Sequence, residues 1–177
     1  MKSLFTSRLV RANTGFTLAE LMLVIGITTV TLAIAIPAYH LNIKPTAHLN
    51  GAARQLHGDI QLARLRAVSE NTRCGVAFSA GPSYTVFRDN NPANSQYDAG
   101  TEDVIKTVNL GNEYKNVQFD TSEGGGDGIS FANNSFSVTP RGLKDLGGED
   151  TVSLVNEKGE GRRIVVNNMG GVRLEKY

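Results

Sequence analysis

Gly15-Phe16-Thr17-Leu18-Ala19-Glu20 opens an apolar run that continues to Ile36. Read as a helix, Phe16 to Ile36 extends roughly 31 Å at about 1.5 Å per residue, enough to cross a bilayer core. Glu20 is the single ionisable side chain in it. A carboxylate inside a bilayer costs about 2.5–3.5 kcal/mol on insertion scales, so such a residue needs a partner and a role. Upstream lie Lys2, Arg8 and Arg11 with no acid among them. That imbalance holds the leader on the cytoplasmic side.

Three readings compete for this junction. A secretory signal has a shorter apolar stretch, about 7–15 residues, and small residues at its far end. Ala33-Ile34-Ala35 imitates that cleavage box, but the length of the run, Glu20 and the following Pro37 oppose it. A permanent, unprocessed anchor is the second reading. The third is cleavage after Gly15, which keeps the whole helix. Phe16 then gains a free amine one helical turn from Glu20, and ammonium beside carboxylate offsets much of the burial cost.

Gly-Phe-Thr-Leu-x-Glu ahead of an apolar helix resembles the class III signal of type IV pilins and type II secretion pseudopilins. In that resemblance Gly15 matches the residue before the cut, and Phe16 the residue that becomes N-terminal and N-methylated. Glu20 matches the acid that guides subunit register, and Pro37 the helix-kinking proline. The resemblance implies a prepilin peptidase, storage as a single-pass inner-membrane protein with its C-terminal domain in the periplasm, and assembly with other pilins or pseudopilins. An inner-membrane platform and its ATPase would drive that assembly. The chain then divides into a cleaved leader (1–15), a transmembrane and filament-core helix (16–37), an amphipathic continuation (38–72) and a β-rich periplasmic domain (73–177).

Composition suits one small domain on such a stem. The full chain carries a net charge of +1, which is a property of the leader; the remainder is slightly acidic. Nothing global points to nucleic acid. Cys74 is the only cysteine, so no intramolecular disulfide can form. Many major pilins close a C-terminal loop with one, and here the chain departs from them. The expectation for Cys74 is a buried small residue on a strand.

Leu49, Ala52, Ala53, Leu56, Ile60, Ala63 and Ala67 recur on a 3.6-residue period and predict a helix with one apolar stripe. Arg54, Gln55, Asp59, Gln61, Arg64 and Arg66 fall mainly off the stripe. Pro37 and Pro45 interrupt the stem, and Asn71-Thr72 mark its end. Short β-type runs follow at 75–79, 84–88, 104–110, 117–120, 128–132, 136–139, 151–155, 163–166 and 172–174. Asn167-Asn168-Met169-Gly170-Gly171 is a turn between the last two. Residues 89–103 and the glycine-rich 121–128 read as surface loops, the second mobile. The predicted fold is α+β: a long N-terminal helix packed on an antiparallel β-sheet or small β-sandwich.

A second, broader resemblance is to the GspH/FimT branch of minor pseudopilins and minor pilins. It rests on Leu62-Ala63-Arg64-Leu65-Arg66-Ala67-Val68 running through Asn71-Thr72-Arg73 into a strand. Phe131 with Pro140-Arg141-Gly142, and Arg163-Ile164-Val165-Val166 through Gly171-Val172-Arg173, add to it.

Catalytic signals are absent from the sequence. His40, His48 and His57 include no i, i+4 pair for a metal. There is no Gly-x-Ser-x-Gly elbow and no phosphate loop. Asp89-Asn90-Asn91 begins like an acidic ion-binding loop, with Asp98, Glu102 and Asp103 nearby. Asn94 and Gly100 stand where an EF-hand needs glycine and glutamate, so a plain solvated loop is expected, with no metal and no cofactor. Some members of the GspH/FimT branch take up DNA through C-terminal arginines. Arg162, Arg163 and Arg173, with Arg141, Lys144 and Lys176, are the cations on offer. Asp145, Glu149, Asp150, Glu160 and Glu175 interleave with them, which weakens a phosphate-binding surface. The expected function is a non-enzymatic structural subunit, a minor pseudopilin or minor pilin that aids filament initiation and secretion. The alternative is a FimT-like minor pilin that binds DNA during natural transformation.

Overall fold

The computed structural model describes residues 15–39, 43–91, 96–145 and 147–177. The leader up to Thr14 and His40 lie outside them. The chain forms two units, one up to Tyr39 and one from His40 onward.

The first unit is helix α1 (Leu18–Ala38), 21 residues with none buried. Among the described residues it is the one helix long and apolar enough to cross a membrane. Its threonines carry no unmet polar cost. The Thr28 hydroxyl donates to Val24 O at 3.0 Å, Thr29 to Ile25 O at 2.7 Å and Thr31 to Ile27 O at 2.6 Å. Satisfying hydroxyls on the helix's own carbonyls is what a lipid environment demands. Pro37 lies inside α1, one residue before its end.

The second unit is built around helix α2 (Lys44–Ser69). Pro45 sits in its first turn, where a missing N–H costs nothing, so this proline starts the helix rather than breaking it. The whole predicted stripe, Leu49, Ala52, Ala53, Leu56, Ile60, Ala63 and Ala67, is buried. Each large aliphatic side chain on it contributes roughly 1.5–3 kcal/mol by leaving water. Asn71, at φ 51°, turns the chain out of the helix.

Eight strands follow: β1 (Arg73–Ser79), β2 (Ser83–Asp89), β3 (Asp103–Asn109), β4 (Val117–Phe119), β5 (Ser135–Val138), β6 (Asp150–Asn156), β7 (Gly161–Val166) and β8 (Val172–Lys176). They make two four-stranded sheets, in the orders β3-β2-β1-β5 and β4-β6-β7-β8. Every pairing is antiparallel. Helix α2 packs on both sheets. The fold is therefore α+β, a long helix on antiparallel sheets. The core joins the α2 stripe to Cys74, Val76, Phe78, Tyr84 and Val86 of the first sheet and to Val152, Leu154, Ile164 and Val166 of the second.

Polar contacts fix the helix along its length. Near its start the Thr46 hydroxyl donates to Glu160 at 2.6 Å, and Arg162 donates to the Asn50 side chain at 2.9 Å. At mid-helix, buried Asp59 accepts from the Tyr84 hydroxyl at 2.6 Å and from Lys106 at 2.7 Å. Toward the end, Arg64 donates to Gly142 O and Met169 O, both at 3.1 Å. This guanidinium ties together the 140–142 loop and the β7–β8 turn.

Three expectations for the strands and loops need correction. Residues 128–132 are not a strand: Ile129 makes only an isolated bridge to Val152. Gly128 sits at φ +80° and Asn133 at φ 55°, and these left-handed residues break the extended run on both sides. The strand expected over 104–110 stops at Asn109, whose side chain caps the short helix α3 (Leu110–Glu113). The 121–128 segment is a surface loop, as expected, and it is closed by hydrogen bonds of its own. Gly128 N donates to Glu123 O at 3.1 Å, and Asp127 accepts from Ile129 N at 3.0 Å and from the Asn134 amide at 2.8 Å. Finally, the described parts of the 89–103 segment, residues 89–91 and 96–103, are no plain solvated loop. Tyr97 packs on Phe87, ring centroids 5.0 Å apart, so Phe87 is fully buried although it lies outside the helix-facing core.

Candidate functional site

The expected processing and register residues stand together at the head of α1. Gly15, Phe16 and Thr17 precede the helix in non-helical conformation, and all three are exposed. Thr17 is the N-cap, with extended backbone at φ −75° and ψ 152°. Its side chain accepts from Glu20 N at 3.2 Å. The Glu20 carboxylate returns to the cap, where Oε2 accepts from Thr17 N at 2.8 Å and from the Thr17 hydroxyl at 2.9 Å. This is a capping box, a reciprocal pairing that satisfies donors the first helical turn would leave orphaned. The negative charge also sits favourably at the positive end of the helix dipole. The sequence reading assigned Glu20 a role in register and overlooked this local one. The signal was legible, since Thr17-x-x-Glu20 directly precedes an apolar run.

The three candidate arginines do not share one face: the strand register puts Arg163 and Arg173 on one side of the second sheet and Arg162 on the other. Arg162 and Arg163 are successive on β7 and so project to opposite faces of the sheet. Arg162 bonds the Asn50 side chain and Gly161 O. Arg163 pairs with Glu123 at 2.6 Å and stacks over the Tyr177 ring. Arg173 pairs with Glu149 and, at 2.7 Å, with Glu175. Lys144 is buried and ion-paired with Asp150.

The acidic loop is only partly satisfied locally: Asp89 Oδ2 and Glu102 Oε1 are buried with no hydrogen-bond partner among the described residues. Asp89 and Glu102 are both buried. Asn91 N donates to Asp89 at 3.0 Å, and Asn90 N donates to Glu102. Burial pushes both carboxyls above their ordinary range. Among the described residues no group of three His, Cys, Asp or Glu side chains is placed to hold a metal ion. Cys74 is buried on β1, and burial pushes its thiol up to about 11, which keeps it protonated and inert at neutral pH. A cavity of about 250 Å³ beside β5 is lined by Ser135, Ser137, Lys144 and Asp150 among others. The Ser135 and Ser137 hydroxyls there have no hydrogen-bond partner among the described residues, whereas the Ser130 hydroxyl, also on the cavity wall, donates to Asp150 at 3.3 Å and accepts from Thr151 N at 2.7 Å.

Comparison with known proteins agrees with this architecture. The family model described as type II transport protein GspH matches residues 52–170. The chain is 33% identical over 163 residues to the pilin-like protein PilA1 of Thermus thermophilus, covering 91% of this chain and 97% of that protein. Its fold is similar to the type IV minor pilin FimU of Pseudomonas aeruginosa, with a TM-score of 0.54 at 16% identity over 75% of this chain and 92% of that one. It is also similar to the minor pseudopilin EpsH from the type 2 secretion system of Vibrio cholerae, with a TM-score of 0.51 at 15% identity over 73% of this chain and 97% of that one. The apolar anchor helix, the helix-on-sheets domain and these matches lead to one conclusion: the chain belongs to the GspH family of pilin-like proteins and is a structural subunit of a pilus or pseudopilus.

Proposed function

We propose that this subunit is made as an inner-membrane precursor, cut between Gly15 and Phe16 by a prepilin peptidase, N-methylated at Phe16 and then drawn into a filament. The observation that carries the reading is Glu20, a lone carboxylate on an apolar helix none of whose residues is buried. A helix that is apolar all round is stable in lipid or among other helices. Within a bundle, Glu20 of an incoming subunit pairs with the Phe16 amine of a neighbour, and misregistered packing leaves a carboxylate buried without a counter-charge. Charge thus sets axial register, while apolar packing supplies cohesion. Pro37 adjusts the helix where it leaves the packed core. The β-rich domain faces the periplasm, and an inner-membrane platform with its ATPase supplies the work of extraction. We place the subunit among the minor components that start a filament and serve secretion. It acts through assembly rather than catalysis. A DNA-binding role draws no support from the arginines, since Arg163 and Arg173 are occupied by carboxylates.

Intact mass of the protein from its native membrane tests the first step. The expected mature N-terminus is Phe16, and a chain that retains residues 1–15 overturns the reading. Glu20→Ala tests the second: processing continues while incorporation into filaments falls. Normal incorporation of that variant removes the register role.

A further inference from the structure

We propose that the open edge of β5 is a docking site for an extended, uncharged peptide segment of another chain, which adds to the first sheet beside Phe136. β5 is an outer strand of that sheet, and its neighbour there is β1. In an antiparallel pair successive residues turn their main-chain groups to opposite edges. Ser137 O accepts from Asp145 N at 3.0 Å, on the side away from β1. Ser135 and Ser137 therefore face outward, and Phe136 and Val138 face β1. The far half of the outer edge is closed, since Thr139 N also donates to Leu143 O at 2.8 Å. In the near half Ser135 N donates to Ala132 O. Among the described residues no hydrogen bond reaches Ser135 O or Ser137 N. One extended residue laid alongside Phe136 meets both. Its N–H donates to Ser135 O and its C=O accepts from Ser137 N, the pattern of a parallel pairing.

The cavity of about 250 Å³ lies on this edge. β5 gives Ser135, Phe136 and Ser137 to its wall, and Ser130, Lys144 and Asp150 are among the residues that complete it. Ser137 is 1% exposed and Ser135 8%, and neither hydroxyl has a partner among the described residues. Buried polar groups are nearly always paired, so two idle hydroxyls beside two idle main-chain groups mark a place built for a ligand's hydrogen bonds. The charges around it are already matched. Lys144 is held by Asp150 and by Gly148 O, the latter at 2.8 Å, and Asp145 is held by Arg73. An anion or a metal ion would have to break those pairs, whereas a peptide main chain brings donors and acceptors without charge. A saccharide is also uncharged, but a free C=O and a free N–H on either side of one strand residue are spaced for a peptide unit. An unprotected edge of this kind is a ready template for a further strand.

The test uses the full chain. Ala132, exposed at the cavity, is replaced by the photoreactive residue p-benzoylphenylalanine. Irradiation in the native cells is followed by mass spectrometry of the cross-linked fragment. The expected product joins position 132 to one segment of another protein chain. That segment, made as a synthetic peptide, should bind the full-length protein in detergent and slow amide exchange at Ser137 about tenfold. Ser137→Pro deletes the free N–H on an edge strand, where proline is tolerated, and should weaken the peptide about tenfold. Ser135→Ala with Ser137→Ala keeps both main-chain groups and should weaken it about threefold. If Ser137→Pro does not fold, the exchange rate of Ser137 in the parent decides alone. The proposal falls if irradiation gives no adduct, or one that stays within the chain or joins a lipid or saccharide. It falls equally if the peptide leaves Ser137 exchange unchanged, or if a folded Ser137→Pro binds it as the parent does.

Discussion

Helices α1 and α2 are of similar length and use their surfaces in opposite ways. α1 has 21 residues and none of them is buried. α2 has 26 residues, and one face of it, from Pro45 to Ala67, is sealed against the sheets. α1 is apolar all round, so no orientation on a sheet would hide it, and its threonines bond only their own helix. α2 is apolar on one stripe and polar elsewhere, so one docked orientation satisfies it. The difference teaches where each helix finds its partners. Those of α2 are in the same chain, and its mutations should read out as stability. Those of α1 are lipid or other helices, and its mutations should read out as insertion and assembly.

The largest test of that contrast is a pair of matched truncations. Leu56 is fully buried in the α2 stripe, whereas Ile27 of α1 is 60% exposed. Leu56→Ala should cost about 2–5 kcal/mol, a large part of the roughly 5–15 kcal/mol that holds a domain together. Ile27→Ala should leave the β-rich domain untouched. Thermal unfolding of the full chain in detergent, followed by aromatic circular dichroism, measures both. An equal drop in Tm for the two variants breaks the comparison.

A smaller effect sharpens it on the side of the sheets. An added Cβ at Gly75 on β1 would lie 2.3 Å from Phe136 O and 2.6 Å from Cζ of Phe87. The ring of Phe87 lies over this glycine and is itself covered by Tyr97. Gly75→Ala should therefore cost about 1–3 kcal/mol, the usual range for overpacking. Phe87→Leu removes the ring edge, but the clash with the Phe136 carbonyl remains. The double variant should thus recover only part of the loss, and urea midpoints report it. Full recovery would mean that backbone crowding contributes nothing.

Much of this was legible in the sequence, for physical reasons that differ by region. The α2 stripe was readable because burial on one face imposes a 3.6-residue period, and all seven of its residues are buried. The β7–β8 turn was readable because its residues close it locally, with Gly171 N donating to the Asn167 side chain at 2.8 Å. Asp59 lies off the apolar stripe, and nothing in the sequence pattern marked it as buried. Its burial depends on Tyr84 and Lys106, which lie far along the chain and leave no local trace. The same holds for Arg64, whose partners Gly142 and Met169 come from two distant turns. Residues 128–132 looked like a strand because their apolar residues alternate, but the left-handed backbone at Gly128 and Asn133 overrides the pattern. At the head of α1 the sequence pointed to Glu20, and the geometry added Thr17 as its local partner.

The smallest expected effect is a pH dependence that belongs to the sheet domain alone. Burial raises Asp89 above its ordinary 3.8 and Glu102 above its ordinary 4.5. A folded state that binds protons more tightly than the unfolded chain gains stability as protons become available. The contribution of these two carboxyls is fully present below their unfolded values and is lost as pH rises through their folded ones. Asp120 and Glu160 carry the opposite sign. Ser122 holds Asp120 below 3.8, chiefly through its hydroxyl, and the Thr46 hydroxyl holds Glu160 below 4.5. Their stabilisation is present above the unfolded values and is lost as pH falls through the folded ones. The two windows barely overlap, so Tm should rise on mild acidification from neutrality and fall again in stronger acid. Asp89→Asn with Glu102→Gln should flatten the rising limb and leave the acid limb, whereas Glu160→Gln should weaken only the acid limb. A rising limb that persists in the Asp89/Glu102 double variant would place the titrating groups elsewhere, outside the covered face of β2.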